Sequence, residues 1–282
     1  MIKSLYRFLS PRFQNLFLDY KVHMTPRWGH GKPPHKRLYT IIDEHRAAYK
    51  LLLEKALMYK DRFWAIKNAD TETDAAQPAW NNSFLPGLDI VMLYTILSEY
   101  KPGKYIEIGS GNSTKVAYKA ATENNPGMEI ISVDPMPRAE IDRLATMVVR
   151  HPFENTDLSL LSTLNAGDVL FVDNSHRLFP NSDATVFFME VLPELNKGVI
   201  VHIHDVYLPY DYPQFMCDRG YSEQYGLAAF LMANPAKYKP LMPCYFVSED
   251  AALSAVLAPL WEHKYLSSVE KHGGSFWLVI GG

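Results

Sequence analysis

Residues 104–117 read KYIEIGSGNSTKVA, and this stretch decides the fold. A short β-rich segment is followed by two glycines, Gly109 and Gly111, and then by the start of a helical pattern. Glycine lets the backbone turn sharply and approach a ligand closely, because it has no Cβ atom. Ser113 or Thr114 is placed to cap the helix, whose first backbone N–H groups are free to bind a ligand. The stretch therefore predicts a strand, a ligand-binding turn and a helix.

Beyond this turn, short β-rich segments alternate with helical patterns. The segments are KYIEIG, MEIISVD, DVLFVD and GVIVHIHD. Strands that alternate with helices indicate βαβ units and a parallel sheet covered on both faces. Two more strands are expected at residues 243–247 and 275–280, with a helix at 251–264 between them. The pattern as a whole predicts a doubly wound α/β domain.

The chain in front of this domain has a different character. Residues 21–37 are rich in proline, glycine and basic side chains, which is typical of a loop. Apolar residues then recur at helical spacing, predicting one long helix from Leu38 to about Lys67, and a second helix is expected from Leu88 to Glu99. We therefore divide the chain into an N-terminal helical extension, residues 1–85, and an α/β domain, residues 86–282.

Composition narrows the class of protein. The chain has 282 residues, of which 48% are hydrophobic and 21% charged, as is usual for a globular protein. Its formal charge of −3 gives no reason to expect nucleic acid as a partner. Cys217 and Cys244 are too few for a disulfide framework and lack metal-ligand spacing, which favours a cytoplasmic location. No segment has the roughly 18 uninterrupted apolar residues that a membrane span needs.

Residues 1–24, MIKSLYRFLSPRFQNLFLDYKVHM, mix basic and apolar side chains. The segment lacks both the continuous apolar core and the cleavage site of a secretory signal. An amphipathic stripe of this kind usually docks on its own domain or on a partner subunit, which leaves a homodimer open. Peripheral contact with a membrane surface is the alternative.

An acidic residue ends the second predicted strand. Asp134 lies 23 residues beyond Gly111, where a carboxylate accepts hydrogen bonds from ribose hydroxyls in nucleotide-binding folds. A dinucleotide fingerprint asks for a third glycine three residues after the second, and here that position is Thr114. This substitution weakens an NAD interpretation. The first strand carries an acid instead, Glu107, two residues before the first glycine.

Several motifs of the sequence resemble those of a known family. E-I-G-S-G-N-S-T followed by S-V-D-P is similar to the first two motifs of class I S-adenosylmethionine-dependent methyltransferases. F-V-D-N-S-H resembles the fourth-strand motif, V-I-V-H-I-H-D the fifth strand, and G-G-S-F-W-L-V-I the last, antiparallel strand. The resemblance covers roughly residues 84–282. It implies a Rossmann-like, doubly wound and mostly parallel seven-stranded sheet with an antiparallel last strand.

The resemblance also implies a cofactor and a substrate class. The glycine turn would lie beneath the amino-acid part of S-adenosylmethionine, and the acid after strand two would hold the ribose. The expected cofactor residues are Glu107, Gly109, Ser110, Gly111, Ser113, Asp134 and Asp173. D-x-S-H with a later H-D is similar to small-molecule methyltransferases of the macrocin and cephalosporin-tailoring kind, which implies O-methylation of a sugar, polyketide or similar hydroxyl.

Two mechanisms compete for the groups at the strand ends. Ligands of open α/β sheets bind outside the carboxyl ends of the strands, where Asp173, His176, His204 and Asp205 lie. In one mechanism Asp173 and Asp205, with His176 or His204 as an optional further ligand, hold Mg²⁺, which lowers the pKa of the acceptor hydroxyl. In the other, slightly favoured, His204 or His176 is the general base, with Asp205 beside it. His202 is expected to be a deeper core histidine.

Several questions stay open at this stage. An NAD-linked oxidoreductase or a non-catalytic cofactor-binding subunit is the alternative function. Residues 205–231 form the predicted acceptor wall, in which Glu223 and Tyr225 either face the acceptor or serve capping and packing. The sequence does not identify the methyl acceptor, the metal dependence, the oligomeric state or the role of the N-terminal helices.

Overall fold

A seven-stranded sheet forms the centre of the computed structural model, which describes residues 6, 8–11, 13–137 and 139–282. The strands are β1 Lys104–Ile108, β2 Glu129–Val133, β3 Met147–Val149, β4 Val169–Val172, β5 Ile200–Ile203, β6 Tyr238–Pro243 and β7 Phe276–Ile280. Their order is β3-β2-β1-β4-β5-β7-β6, and only β7 runs antiparallel to its neighbours. This is the predicted doubly wound Rossmann-like fold of class I methyltransferases, with its antiparallel last strand.

Helices cover the sheet. The α-helices are α1 Lys36–Asp43, α2 Arg46–Leu57, α3 Lys60–Trp64, α4 Gly87–Tyr100, α5 Asn112–Asn124, α6 Asp183–Val186, α7 Gln214–Cys217, α8 Glu223–Ala233, α9 Cys244–Glu249, α10 Ala251–Ser254 and α11 Ala258–Trp261. The residues of β1, β4 and β5 are buried almost without exception, because helices lie on both faces of these central strands. The carboxyl ends of β1, β4 and β5 therefore meet at one edge of a rigid core.

The long helix predicted over residues 38–67 is wrong in its continuity. The chain forms α1, α2 and α3 instead, because His45 and Tyr59 have φ near −100° and ψ of 8°, outside the helical region. Each break turns the chain so that the next helix also buries apolar side chains against the domain. The helix expected at residues 88–99 is confirmed as α4.

The strand expected at residues 243–247 is also wrong. The strand is β6, which ends at Pro243, and the residues after it form the helix α9. Pro240 and Pro243 are unusual within a strand, but β6 is at the edge of the sheet, where a missing backbone donor is tolerated. The predicted helix at 251–264 is broken into α10, a short 3₁₀ turn and α11.

The N-terminal helices pack directly on the α/β domain. Arg46 of α2 forms an ion pair with Asp250 at 2.7 Å, and the Trp64 indole donates to the carbonyl of Leu260 at 3.1 Å. Apolar residues of α1, α2 and α3 belong to the same buried cluster as the sheet. The boundary expected between residues 85 and 86 stays a prediction. Over the part of the chain that the structure describes, no helix is long and apolar enough to cross a membrane.

Candidate active site

The turn after β1 is shaped by Gly109. Its φ is +82°, and a Cβ atom there would lie 1.8 Å from the backbone carbonyl oxygen of Asp173. The turn therefore passes so close to the end of β4 that only glycine fits. Its Ser110 amide donates to the Asp134 carboxylate at 2.8 Å, which ties the turn to the end of β2 as well.

Glu107 supports this turn from below. It is fully buried, and the hydroxyls of Tyr105 and Thr114 donate to its two carboxylate oxygens. The Thr114 hydroxyl in turn accepts from the Gly111 amide at 3.0 Å. Burial raises the pKa of Glu107 to about 7. Thr114, which replaces the glycine of a dinucleotide fingerprint, is thus part of a buried network that fixes the turn.

A cavity of about 360 Å³ opens at this edge of the sheet. Four of the seven predicted cofactor residues line it: Gly109, Ser110, Asp134 and Asp173. The other three, Glu107, Gly111 and Ser113, do not line it; Glu107 and Ser113 are buried behind the turn. Both oxygens of Asp134 are oriented by backbone amides, from Ser110 and from Met136 at 2.7 Å. A fixed carboxylate in a cavity wall is suited to bind a pair of hydroxyl groups.

The wall of this cavity also contains Asn174, a residue that the sequence argument did not single out. Its side-chain oxygen accepts from the His176 amide at 3.1 Å. Its Nδ2 is buried, and among the described residues it has no hydrogen-bond acceptor. Because an unsatisfied buried donor costs about 1–3 kcal/mol, a ligand acceptor is the natural partner for this group.

His176 is the centre of the cluster at the ends of β4 and β5. Its Nε2 lies 3.5 Å from Asp173 Oδ1 and 3.5 Å from Asp205 Oδ2, so the predicted proximity of these two acids is observed. Its Nδ1 is bonded to the Glu223 carboxylate. The ring also stacks on Tyr221, with a centroid distance of 4.6 Å. His176 is thus held from three sides, with Nε2 toward the two partly exposed carboxylates.

Glu223 holds His176 from the start of α8. Its side chain is almost completely buried, and the amides of Ser222 and Glu223 both donate to the His176 carbonyl. The start of α8 therefore binds His176 through both its backbone amides and the Glu223 side chain. Of the two roles left open for Glu223, the structure places its carboxylate on the imidazole and away from the surface.

His204 lies deeper than His176 and has its own carboxylate partner. Its Nε2 is 3.4 Å from Asp89 Oδ2, and its Nδ1 faces Asp205 at 3.5 Å and Asp173 at 3.8 Å. Asp89 belongs to the first turn of α4 and accepts from the amides of Gly274 and Ser275. Sequence reasoning missed Asp89, because one acid in the first turn of an apolar helix is usually there to favour the helix dipole.

Electrostatics favour the charged forms of both imidazoles. Burial alone would lower the pKa of His176, but Glu223 and the two aspartates raise it to about 9. Burial likewise opposes charging of His204, yet Asp205, Asp173 and Asp89 raise its pKa to about 10. Four carboxylates thus surround two imidazoles. This surplus of acids attracts a cation to the edge of the sheet.

His202 is a core residue, as expected. Its ring stacks on Phe171 at 3.8 Å and its Nε2 is 2.7 Å from the Ser275 hydroxyl oxygen. Burial lowers the pKa of His202 well below the usual range, so the ring is neutral. The two histidines therefore have different surroundings. His202 in β5 is a neutral imidazole packed in the core, and His204, just after the strand, belongs to the charged cluster.

The donor set does not fit a magnesium ion. Mg²⁺ needs near-octahedral oxygen ligands, but the space between the carboxylates of Asp173 and Asp205 is filled by the His176 ring. Among the described residues, no group of three or more His, Cys, Asp or Glu side chains is arranged to hold a metal.

The cluster predicts a pH dependence of stability. The pKa of His176 is about 9 in the folded protein against about 6.5 in an unfolded chain. The contribution of charged His176 to the free energy of unfolding is therefore fully present below pH 6.5 and is lost as the pH rises through 9. We expect His176→Gln to destabilise the protein by at most about 3 kcal/mol at pH 6 and by much less at pH 10. Urea unfolding of both proteins at pH 6, 8 and 10 measures this, and a difference that grows with pH would contradict it.

The fold and the site define the class of the protein. Residues 106–206, which run from β1 to just beyond Asp205, match a family described as a methyltransferase domain. The chain is an S-adenosylmethionine-dependent methyltransferase with a Rossmann-like fold.

Comparison with known proteins adds broad similarities only. No curated protein sequence matches the chain. It is similar to the S-adenosylhomocysteine-bound methyltransferase PaMTH1 of Podospora anserina, with 16% identity, 68% of this chain and 78% of that chain covered, and a TM-score of 0.41. It is also similar to the plantazolicin methyltransferase BpumL bound to S-adenosylhomocysteine, with 13% identity, 87% and 100% covered, and a TM-score of 0.45.

Proposed function

We propose that the protein transfers a methyl group from S-adenosylmethionine to a hydroxyl oxygen of a small molecule, such as a sugar or a polyketide. The observation that carries the proposal is the cluster around His176, beside a cavity of suitable size. Asp173 belongs to both, since it lines the cavity and contacts the imidazole. Cofactor and proton acceptor are thereby brought together at the ends of β4 and β5.

The cavity residues suit the cofactor. In our proposal the glycine turn at Gly109 and Ser110 lies beneath its amino-acid part, and the Asp134 carboxylate accepts from the ribose hydroxyls. The Nδ2 atom of Asn174 donates to an acceptor atom of the ligand. When bound, S-adenosylmethionine supplies a methyl group on a positively charged sulfur, a charge that the acidic cluster stabilises.

His176 is proposed to be the general base. Glu223 accepts a hydrogen bond from the Nδ1–H of His176, so that the neutral form of the ring presents its Nε2 lone pair toward the site. As the acceptor oxygen bonds to the methyl carbon and the carbon–sulfur bond breaks, Nε2 takes the hydroxyl proton. Asp173 and Asp205 then stabilise the imidazolium. A positively charged sulfonium held in the cavity would lower the pKa of His176 before the reaction, because like charges disfavour protonation.

His204 is proposed to be a positioning residue. Only 4% of it is exposed, and its nitrogens face Asp89, Asp173 and Asp205. Its charge holds the two aspartates toward His176. Of the predicted catalytic residues, His176 is therefore the one proposed to touch the reacting groups, while Asp205 stabilises its charged form.

The alternatives left open by the sequence are not retained. The match to a methyltransferase domain argues against an NAD-linked oxidoreductase. So does Thr114, whose hydroxyl is part of the hydrogen-bond network under the turn. A non-catalytic subunit has no use for an oriented imidazole beside the cavity. A cytoplasmic location, supported by the free and buried Cys217 and Cys244, and a homodimer remain proposals.

The test is a product assay. The purified protein is incubated with S-adenosylmethionine and a panel of hydroxylated sugars and polyketides, with amine and thiol analogues as controls. We expect S-adenosylhomocysteine release together with a product heavier by one CH₂ whose fragmentation places the methyl group on oxygen. Methylation of the amine analogues alone would contradict the hydroxyl proposal while leaving the methyltransferase class intact.

A further inference from the structure

Charge is strongly segregated along the chain. Residues 1–37 contain eight lysines and arginines but a single acid, Asp19, which gives this segment a formal charge of +7. Because the whole chain has a charge of −3, the remaining residues carry −10. A body of net negative charge thus bears one basic segment at its N-terminus, and such an asymmetry indicates an acidic partner.

The first part of this segment is also strongly apolar. Residues 6–24 form the N-terminal arm, of which the structure describes all residues except Arg7 and Arg12. Its side chains are exposed to an unusual degree: Phe17 is 77% exposed, Tyr20 74% and Leu9 68%. Further exposed apolar side chains of the arm are Tyr6, Phe8, Phe13, Leu16, Leu18, Val22 and Met24. Such exposure argues against the expectation that this segment docks on its own domain.

The arm leaves the domain from a rigid base. Gln214 donates to the carbonyl of Met24 at 2.8 Å. The Arg27 amide donates to Asp211 Oδ2 at 2.9 Å, and the Asp211 amide donates to the carbonyl of Trp28 at 3.0 Å. Asp211 is only 3% exposed, so the two bonds that it makes are shielded from water. The exposed arm is therefore held in a defined direction beside α7.

A second copy of the chain is a poor partner for the arm. Pairing of two arms would also bring together two copies of residues 1–37, each with a formal charge of +7, and like charges repel. The body offers no large apolar counterpart among the described residues, since its other exposed large apolar side chains occur at most two to a helix or strand. A partner for this arm needs both negative charge and an apolar interior.

We propose that the N-terminal arm binds the surface of an anionic lipid membrane. The aromatic and aliphatic side chains of the arm enter the boundary between headgroups and acyl chains. The basic residues of 21–37 lie against the lipid phosphates, which attract them within a Debye length. The contact is peripheral, in keeping with the absence of any spanning helix among the described residues.

The test is flotation of the full-length protein with lipid vesicles. Vesicles of equal parts phosphatidylcholine and phosphatidylglycerol are compared with vesicles of phosphatidylcholine alone. We expect at least tenfold stronger binding to the anionic vesicles and weaker binding as salt is raised. The double variant Leu16→Asp/Phe17→Asp and the double variant Lys21→Glu/Lys36→Glu are each expected to lose at least tenfold in binding.

A matched control separates the arm from general surface hydrophobicity. Leu51→Asp/Met58→Asp changes two side chains that are 62% and 73% exposed on the body, and it should bind vesicles like the wild type. All variants should keep the thermal unfolding temperature and the S-adenosylhomocysteine affinity. Failure of the wild type to float, or flotation of the arm variants, overturns the proposal. So does a lipid-free dimer that Leu16→Asp/Phe17→Asp converts to monomer, since the arm would then serve self-association.

Discussion

Replacing His176 by glutamine is expected to lower the turnover number for methyl transfer about 100- to 10,000-fold. Glutamine keeps a polar side chain of similar reach but cannot take the proton of the acceptor hydroxyl. The affinity for S-adenosylhomocysteine should stay within about threefold, because His176 does not line the cavity proposed to hold the cofactor. Steady-state kinetics on the best acceptor and calorimetry measure the two effects.

The pH profile distinguishes a base from a merely structural residue. The wild-type turnover number should rise with pH up to a limit at or below about 9, the pKa of His176 in the free protein. His176→Gln should lose this rise. The control is His45→Gln. His45 lies at the start of α2, far from His176 in the sequence, and its side chain caps no backbone group. A His176→Gln variant with turnover within threefold of the wild type would refute the base assignment.

Replacing Gly109 by alanine is expected to abolish measurable cofactor binding, with a loss of more than 100-fold. The new Cβ atom would lie 1.8 Å from the Asp173 carbonyl oxygen, so the turn or the end of β4 must shift. Either shift displaces the Ser110 amide from Asp134 or Asp173 from the cluster. We also expect the free energy of unfolding to fall by more than about 2 kcal/mol, measured by urea denaturation.

Gly167 provides a matched control for this substitution. Its φ of +90° is similar, but nothing lies within 4 Å of the position of its Cβ. Gly167→Ala should therefore cost only the strain of a left-handed residue, about 1–2 kcal/mol, and leave cofactor binding unchanged. If both variants bind S-adenosylhomocysteine alike, the close approach at Gly109 does not shape the site.

The features predicted from sequence were those encoded locally. Strand, glycine turn and helix follow one another within residues 104–117, and each has its own residue pattern. The acids and histidines after β4 and β5 were found because a polar group at the end of an apolar strand is conspicuous. The parallel order of the strands then brings Asp173 and Asp205 to one edge without further information.

The partners that come from distant parts of the chain were not predictable. Asp89 reaches His204 from α4, more than a hundred residues earlier, and Glu223 reaches His176 from α8. Nothing in either helix marks its acid as a histidine partner, because first-turn acids commonly serve the helix itself. Similarly, the prolines of β6 are not typical of a strand, and only the completed sheet shows that β6 is at an edge, where proline is tolerated.

The most direct test is calorimetric titration of S-adenosylhomocysteine into wild-type protein and Asp134→Ala, with NAD as a second ligand and the exposed Asp70→Ala as control. We expect micromolar binding to the wild type and to Asp70→Ala, and none of NAD. Loss of the carboxylate proposed to accept hydrogen bonds from the ribose hydroxyls should weaken binding about 10- to 100-fold in Asp134→Ala. Absence of binding to the wild type, or equal binding to Asp134→Ala, would contradict the proposed cofactor site.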